Sequence, residues 1–442
     1  MLKLYNTLSK NIDPFVPFHH DHVNLYTCGP TVYNYAHIGN LRSYIMADLL
    51  YRSLKFEGYS PRWVMNITDI DDKTIKATIA KYGKDATVEN LREITKFYFD
   101  EFLKDLGEVN VLKDEIKFIR VTDVIPEIQE FIISLMQKGY AYKAEDGIYF
   151  SIEKYQKDFG DYGQLVGEKF LEGKKVGARV VVDEYEKENL SDFALWKHHN
   201  TETDGQIFWS HPKLENGRPG WHIECSVINK IAFKGEPTDI HTGGVDLIFP
   251  HHTNEIAQSQ PFYRPFSRFW YHNEHLLVDG ERMGKRFNNF YTIRDLKGKG
   301  FSGQDLRYFF LNSSFTSQQN FTLEGLASSR TAIKKLLALP KAKTISNEFK
   351  NSFNDNLNFS KALASVWSGN NLSELENSVL GFSAQSDETV SAEIQVLIEQ
   401  RKEAKLKKDF AKSDELRRQI EDLGYEVMDT PDGQKVKKKL KM

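Results

Sequence analysis

A strand, a helix and a second strand follow one another near the start of this chain, and this order restricts the folds that it can adopt. The segment VNLYTCGPTVY (23–33) predicts a strand that runs into a Gly-Pro turn. Residues 41–59 carry apolar side chains at helical spacing, and residues 61–70 are rich in the β-branched and aromatic residues typical of strands. Such a β-α-β unit indicates an α/β fold with a parallel, Rossmann-like sheet.

Ligands of parallel sheets bind beyond the carboxyl ends of the strands. Cys28, the HIGN turn at 37–40 and Thr68 all follow the two predicted strands closely. Gly39 would let the backbone approach a phosphate, the start of the helix offers free N–H groups, and His37 can donate to a phosphate oxygen. The tetrapeptide is a weak signal by itself, but it predicts a nucleotide site here.

The rest of the chain predicts a split α/β core followed by helices. Helical periodicity prevails from about 85 to 138, a mixed α+β insertion runs to about 215, and the α/β pattern then resumes. After 300 the chain is nearly all helical, except for a Ser/Asn/Glu-rich flexible connector at 369–390 before a basic helix. We expect the first half of the core at 1–115, an inserted domain at 116–215 and the second half of the core at 216–270. A loop and stem-contact region at 271–318, a helical bundle at 319–395 and a small C-terminal module at 396–442 would follow.

Charge is distributed unevenly along the chain. The formal net charge is −3, but residues 401–442 hold 13 Lys and Arg against 9 Asp and Glu. A basic end on an acidic body points to nucleic acid, although a solvated Lys-rich helix is the commoner explanation. Without a signal-peptide pattern or an apolar run of membrane-spanning length, we expect a cytoplasmic protein that makes no membrane contact.

The two cysteines of the chain, Cys28 and Cys225, each lie beside a Gly/Pro turn. His251 and Glu255 stand four residues apart and would share one helical face. Two thiolates, an imidazole and a carboxylate can complete one tetrahedral zinc site. Spacing supports this only moderately, because Cys28 is distant in sequence and a single cysteine is more often a small buried apolar residue. A disulfide is the other alternative.

A Gly-flanked basic loop, GERMGKRFNNF, occupies residues 280–290 and contains Arg282, Lys285 and Arg286. Mobile Lys and Arg side chains can clamp the charge that develops on a departing pyrophosphate. A basic loop is more often solvated surface, so this motif also needs support from others.

Taken together, these motifs resemble the class I aminoacyl-tRNA synthetases, and specifically the cysteinyl-tRNA synthetase family. HIGN is similar to the HIGH signature of that class, and RMGKR (282–286) stands where its KMSKS loop belongs. The further stretches that carry the resemblance are YTCGPTVY, NITDIDDK, DFALWK, GRPGWHIECS, DIHTGGVDLIFPHHTNEIAQS and DTPDG. They cover nearly the whole chain in order. The chain departs from the pattern at Asn40, Arg282, Gly284 and Arg286, so the rate and dynamics of the loop are in question.

The resemblance implies a ligase that activates L-cysteine with ATP and Mg²⁺ and transfers it to tRNA(Cys). It implies one zinc ion that binds the substrate thiolate and is held by Cys28, Cys225, His251 and Glu255, with Glu255 the least certain ligand. It places His37, Gly39, Asn40, Arg282, Met283 and Lys285 at ATP, with His37, Asn40 and Lys285 as catalytic residues. It places Thr68, Trp221, His241 and Asp246 at the cysteine. We further expect a monomer whose C-terminal module binds tRNA through Arg401, Lys402, Lys405, Lys407, Lys408 and Lys412.

Three alternatives stay open from the sequence. One is a cysteine ligase that loads a small amino sugar, which the basic segment 401–442 argues against. Another is a non-catalytic paralogue that senses cysteine or binds tRNA. The altered RMGKR loop favours this alternative. The last is a zinc-stabilised nucleotide-binding protein, which Trp221 and Asp246 near the metal disfavour.

Overall fold

The computed structural model describes residues 1–160, 162–167, 176–180, 190–284, 289–383, 392–430 and 433–438. The strands are β1 (Lys3–Asn6), β2 (Asn11–Pro14), β3 (Val23–Thr27), β4 (Pro61–Ile67), β5 (Ile116–Arg120), β6 (Ala141–Lys143), β7 (Gly147–Phe150), β8 (Val176–Val180), β9 (Leu190–His198), β10 (Gly217–Pro219), β11 (Thr238–Gly244), β12 (Ser267–Asn273), β13 (Leu276–Val278), β14 (Glu281–Arg282), β15 (Gln319–Phe321), β16 (Lys341–Ala342), β17 (Leu372–Ser373), β18 (Tyr425–Thr430) and β19 (Gly433–Lys438).

The α-helices are α1 (Ile38–Phe56), α2 (Asp72–Tyr82), α3 (Val88–Glu108), α4 (Ile125–Gln137), α5 (Ile152–Phe159), α6 (Trp221–Ala232), α7 (Thr253–Ser259), α8 (Ile293–Gly298), α9 (Gly303–Leu311), α10 (Leu323–Leu337), α11 (Asn347–Phe353), α12 (Phe359–Gly369), α13 (Glu374–Leu380), α14 (Ala392–Leu406) and α15 (Phe410–Asp422). Among the described residues, no helix combines the length and apolar character that crossing a membrane requires.

The centre of the fold is a five-stranded parallel sheet in the order β12-β11-β3-β4-β5. Every residue of β3 is buried, as expected for an inner strand of a parallel sheet that is covered on both faces. The predicted β-α-β unit is confirmed, because α1 connects the parallel strands β3 and β4. β5 also pairs in this sheet, so the sheet extends past residue 115, where we placed the end of the first core half.

A second sheet lies between β5 and β11 in sequence. Its order is β10-β9-β7-β6, and β8 pairs with β9. The antiparallel ladder carries β9, which contains DFALWK, against β10 of the GRPGW turn. The insertion therefore leads the chain directly into α6, which carries Trp221 and Cys225.

The helical half shares one apolar core with the parallel sheet. α9 packs on α10, and α11 packs on α12. A fully buried ion pair, Arg307 Nη2 to Asp48 Oδ2 at 2.6 Å, joins α9 to α1. The helices are thereby fixed to the element that begins with the HIGN turn.

Two expectations about the helical half were wrong. The stretch from 369 to 383 is not a flexible connector, because β17 and α13 lie in it, and Ser373 and Glu376 cap α13 reciprocally. Residues 384–391 lie outside the described residues. The basic helix is two helices, α14 and α15, because Lys408 has a left-handed φ of 60° and Asp409 caps α15 by accepting from the Lys412 N–H.

Candidate active site

The four predicted metal ligands converge at the carboxyl edge of the parallel sheet. Cys28 follows β3, Cys225 lies in α6, His251 precedes α7 and Glu255 lies in its first turn. One ligand atom from each lies within 4.8 Å of the others, and all four residues are buried. The fold thus closes the long sequence gap that separated Cys28 from its partners.

The distances inside this cluster exclude a disulfide. The two sulfur atoms are 3.9 Å apart, about twice the length of an S–S bond, and both cysteines are free. His251 Nε2 lies 3.4 Å from Cys225 Sγ and 3.2 Å from Glu255 Oε1. The alternative of a Cys28–Cys225 disulfide is therefore wrong.

Burial makes it energetically unfavourable for the two thiols and the carboxyl of this cluster to ionise without a cation beside them. Burial raises the pKa of the Cys28 thiol and of the Glu255 carboxyl well above their ordinary values. Burial would also raise the pKa of Cys225, but its hydrogen bond with Cys28 and the charge of His251 hold it well below its ordinary value. Among the described residues, Glu255 Oε2 is buried with no hydrogen-bond partner. Two sulfurs, an imidazole and an unsatisfied carboxylate fit a metal ion.

His252 belongs to the same cluster, and the sequence analysis did not assign it. Cys28, His241, His252 and Glu255 form a second set of ligand atoms that lie within 4.8 Å of one another. His252 Nε2 is 3.3 Å from Cys28 Sγ, while its Nδ1 is 2.7 Å from His272 Nε2. His272 in turn contacts the Thr7 hydroxyl at 2.7 Å. The pair of adjacent histidines in PHHTNE could have indicated this residue, but only the first of the two was predicted as a ligand.

The residues predicted to contact the amino acid surround this cluster. Trp221 is half-buried and stacks on the His251 ring, with ring centroids 4.5 Å apart. His241 is buried with its Nε2 3.5 Å from Cys28 Sγ, and Asp246 is exposed in the turn after β11. The buried Thr68 hydroxyl instead donates to Glu224 Oε2 at 2.8 Å. Glu224 therefore orients Thr68, a contact that no sequence pattern indicated.

The HIGN turn forms the start of α1. His37 is its N-cap: His37 Nδ1 accepts from the Asn40 N–H at 3.1 Å, and Asn40 Oδ1 accepts from the His37 N–H at 3.2 Å. The Asn40 amide therefore serves as the reciprocal partner of a capping box. Burial lowers the pKa of His37 to about 4, so its imidazole is neutral near pH 7.

The RMGKR loop begins next to the HIGN turn. A Cβ added to Gly39 would lie 2.8 Å from Met283 Cε and 3.0 Å from His37 Nδ1, so the loop and the turn are in close contact at this glycine. Asn289 holds the base of the loop, because its Oδ1 accepts from the Gly284 N–H at 2.8 Å and its Nδ2 donates to the Arg282 carbonyl at 3.1 Å. Arg282 is exposed. Lys285 and Arg286 lie outside the described residues.

The basic residues of the C-terminal module are mostly paired with acids. Arg401 is 1% exposed, and its guanidinium donates to both Asp429 carboxylate oxygens at 2.9 and 3.1 Å. Lys405 lies 2.6 Å from the same carboxylate. The expectation that Arg401 faces phosphates was therefore wrong, because it holds the DTPDG strand to α14.

Comparisons with known proteins agree with this arrangement. Residues 14–331 match the family of class I (C) tRNA synthetase catalytic domains, and residues 387–436 match the anticodon binding domain of cysteinyl-tRNA ligases. The chain is 41% identical to the cysteine–tRNA ligase of Chlamydia felis (strain Fe/C-56), with 99% of this chain and 98% of that protein covered. It is 39% identical to the cysteine–tRNA ligase of Brachyspira hyodysenteriae (strain ATCC 49526 / WA1), with 98% and 99% covered.

Solved structures show the same fold at low identity. The methionyl-tRNA synthetase of Mycobacterium tuberculosis in complex with methionyl-adenylate has a TM-score of 0.53 at 13% identity, over 82% of this chain and 87% of that one. The agnB2 LeuRS of Agrobacterium radiobacter K84, in a ternary complex with tRNA and LeuAMS, has a TM-score of 0.55 at 10% identity, over 83% of each chain. Fold, site and relatives agree: this chain belongs to the cysteinyl-tRNA synthetase family of the class I tRNA synthetases.

Proposed function

We propose that this protein is a cysteine–tRNA ligase, which activates L-cysteine with ATP and transfers the cysteinyl group to tRNA(Cys). The observation that carries the proposal is the buried cluster of Cys28, Cys225, His251 and Glu255 at the carboxyl edge of the parallel sheet. Relatives that share the whole length of the chain carry this activity in their names. The matched anticodon domain speaks against the amino-sugar ligase, which needs no anticodon module.

We assign a zinc ion to the cluster. Cys28, Cys225, His251 and Glu255 would hold it, and its preference for a thiolate over an alcohol would select cysteine against serine. A pocket without such a group discriminates between near-isosteres by only about 10². Because Glu255 Oε2 has no hydrogen-bond partner among the described residues, it supports direct binding of this carboxylate to the metal ion.

The neighbouring side chains would fix the rest of the amino acid. The exposed Asp246 carboxylate would receive the ammonium group, and its negative charge helps to raise the pKa of the nearby His251. Trp221, which stacks on His251, would form a wall of the pocket. His241 lies against Cys28, and Thr68 is oriented by its hydrogen bond to Glu224.

Activation needs no nucleophile from the protein. The cysteine carboxylate attacks the α-phosphate of ATP, the bond to the pyrophosphate breaks, and Mg²⁺ accompanies the nucleotide. The neutral His37 imidazole keeps its Nε2 available as a hydrogen-bond donor to phosphate, and Gly39 leaves room for close approach. Arg282, Met283 and Lys285 would cover the triphosphate, and Asn40 would act by shaping the turn. Catalysis is therefore positioning and charge stabilisation.

The second step transfers the acyl group to a hydroxyl of the terminal adenosine of tRNA, with AMP as the leaving group. The module at 396–442 would bind the anticodon end of tRNA(Cys), and we expect the chain to act as a monomer. Lysines that are already paired contribute little net attraction, so unpaired exposed groups of the module would dominate binding.

ATP–pyrophosphate exchange tests the activation step. With cysteine we expect exchange, and with serine or alanine at equal concentration a rate lower by more than the ~10² of a metal-free pocket. Charging of tRNA(Cys) should follow, with tRNA(Ser) as the matched control. No cysteine-dependent exchange would favour the non-catalytic paralogue, and exchange without tRNA charging would favour a different acceptor.

A further inference from the structure

The opposite edge of the parallel sheet carries a second group of metal-ligating side chains. His19 and His22 lie in the loop between β2 and β3, and Glu236 lies in the turn before β11. One ligand atom from each lies within 4.8 Å of the others. We propose that His19, His22 and Glu236 bind a second, exchangeable metal ion, a borderline divalent cation such as Zn²⁺.

His22 has the hydrogen-bond arrangement of a metal-ligating histidine. Its Nε2 lies 3.0 Å from Glu236 Oε2, and its Nδ1 lies 3.0 Å from Asp21 Oδ1. A histidine that binds a metal through one ring nitrogen commonly donates the other N–H to a carboxylate, which fixes the ring and raises its basicity. Asp21 supplies that outer carboxylate, and Glu236 shares the metal.

The loop that carries the two histidines is held in place by its surroundings. Asp239 accepts from the backbone N–H groups of Phe18 at 2.6 Å and Asn24 at 2.7 Å, on either side of the histidines. Arg268 donates to the Val16 carbonyl at 2.7 Å and lies over the Phe18 ring at 3.8 Å. Since both ends of the loop are anchored, little ordering is required when a metal binds.

The His19 and His22 rings already lie together. They stack with centroids 4.5 Å apart and an interplanar angle of 13°. Because a ring nitrogen binds a metal in the plane of its ring, the half-buried His19 ring would have to turn out of this stack to direct a nitrogen at the position between His22 and Glu236. Two imidazoles and a carboxylate suit zinc, nickel or copper better than magnesium or calcium, and three protein ligands leave a position for water.

This site is distinct from the cluster at Cys28. The whole of β3 separates His22 from Cys28, which corresponds to roughly 17 Å for five residues at ~3.3 Å each. Arg62 Nη1 lies 3.4 Å from Glu236 Oε2 and competes with a cation for this carboxylate. The Arg62 side chain is 51% exposed, so it can move into solvent when the metal binds.

The number of zinc ions bound by the full chain tests the proposal. Equilibrium dialysis against excess Zn²⁺, followed by elemental analysis, should give two zinc ions per wild-type chain. His22→Ala and Glu236→Gln should each give one, while His20→Ala, at an exposed neighbouring histidine, should keep two. His19→Ala, in the same loop but less buried than His22, provides a second ligand variant if His22→Ala folds poorly.

Two further readouts separate a metal site from a cluster of ion pairs. Excess Zn²⁺ should raise the melting temperature of the wild type and of His20→Ala but not of Glu236→Gln, and Arg62→Ala should bind the second ion more tightly. Cysteine-dependent pyrophosphate exchange should stay intact in every one of these variants, which keeps the test separate from the proposed function. A zinc count that stays at the wild-type value in both His22→Ala and Glu236→Gln would overturn the proposal, whether that value is one or two.

Discussion

The buried cluster of Cys28, Cys225, His251 and Glu255 and the C-terminal module both concentrate ionisable side chains, but they differ in whether both oxygens of the central carboxylate have a partner. In the cluster, two thiols and a carboxyl lie within reach of His251, and Glu255 Oε2 has no hydrogen-bond partner among the described residues. In the module, the buried Arg401 donates to both oxygens of Asp429 and to Gln434.

Exposed lysines of the module are also paired with acids. Three of those whose side chains are described lie three or four residues from an acid with which they pair: Lys402 with Glu399, Lys407 with Glu403 and Lys412 with Glu415. Exposed pairs of this kind contribute only about 0–1 kcal/mol each to stability. A lysine that leaves such a pair for a phosphate exchanges one weak attraction for another.

The comparison teaches that a count of charges overstates the surface that the module offers to nucleic acid. The turn between α14 and α15 exposes Leu406 at 78%, Phe410 at 65% and Lys408. Among the described residues, Lys408 has no ion-pair partner. An exposed aromatic ring is a stacking platform for an unpaired base. We therefore expect this turn, more than the paired lysines, to contact the anticodon.

The largest expected effect concerns the thiols of the cluster. Cys225→Ser replaces a group that ionises by one that does not, so the bound metal should be lost and cysteine-dependent exchange should fall roughly 100-fold or more. Elemental analysis and pyrophosphate exchange on the same sample measure both. Ile223→Val, on the same helix, is the control for packing, and a Cys225→Ser protein that keeps its metal would contradict the assignment.

Much of the fold could be predicted because it depends on local patterns. The apolar spacing of Ile45, Leu49 and Leu54 predicts α1, and these residues are buried. The four-residue spacing of His251 and Glu255 predicts a shared face, and both reach the cluster. Spacing supported Cys28 as the fourth ligand only moderately, because strand order is what brings β3 beside β11.

The remaining contacts could not be predicted because they depend on partners that are distant in sequence. Glu224 reaches Thr68 across 156 residues, and the chain from His252 through His272 ends at Thr7. The basic segment around Arg401 suggested a phosphate contact. Arg401 is instead an internal residue, because β18 folds onto α14 and brings Asp429 to its guanidinium. Charge counting cannot separate these two outcomes.

The second prediction addresses the exposed turn. Phe410→Ala removes a stacking surface, and loss of base stacking costs about 1–3 kcal/mol. We expect the KM for tRNA(Cys) to rise by roughly 5- to 150-fold while cysteine-dependent exchange stays unchanged. Leu423→Ala, at another exposed apolar residue of the module, is the matched control. Equal effects of the two substitutions would place the anticodon contact elsewhere.

The third prediction concerns the internal pair of the module. Hydrogen bonds from Arg401 and Lys405 hold the pKa of Asp429 well below its ordinary value. Because the folded pKa is the lower one, this stabilisation is complete well above the unfolded value of about 3.9 and is lost progressively as the pH falls from there through the folded pKa. Asp429→Asn should lower stability by roughly 1–2 kcal/mol from pH 5 to 8, since Arg401 is left buried and the site is partly solvated.

Urea unfolding of the full chain, followed through the module by a fluorophore attached at its surface, measures this difference. The difference between the wild type and Asp429→Asn should begin to shrink as the pH falls below about 4 and should go on shrinking at still lower pH. Glu421→Gln, which alters the half-exposed pair with Arg417, should show a smaller difference at every pH. A difference that stays constant down to pH 3 would mean that the charge of Asp429 does not hold the module together.

The smallest expected effect separates a paired lysine from an unpaired one. Lys408 and Lys402 are both exposed, but Lys402 Nζ lies 3.2 Å from Glu399. If Lys408 contacts a phosphate, Lys408→Ala should weaken tRNA(Cys) binding and reduce the slope of log K against log salt by about one. Lys402→Ala should change the slope little if Lys402 stays paired with Glu399 and contacts no phosphate, because the slope counts only the phosphates that the protein neutralises. Filter binding at several salt concentrations measures both slopes. Equal reductions would show that paired lysines leave their acids for phosphates, and that the contrast between the cluster and the module lies in burial alone.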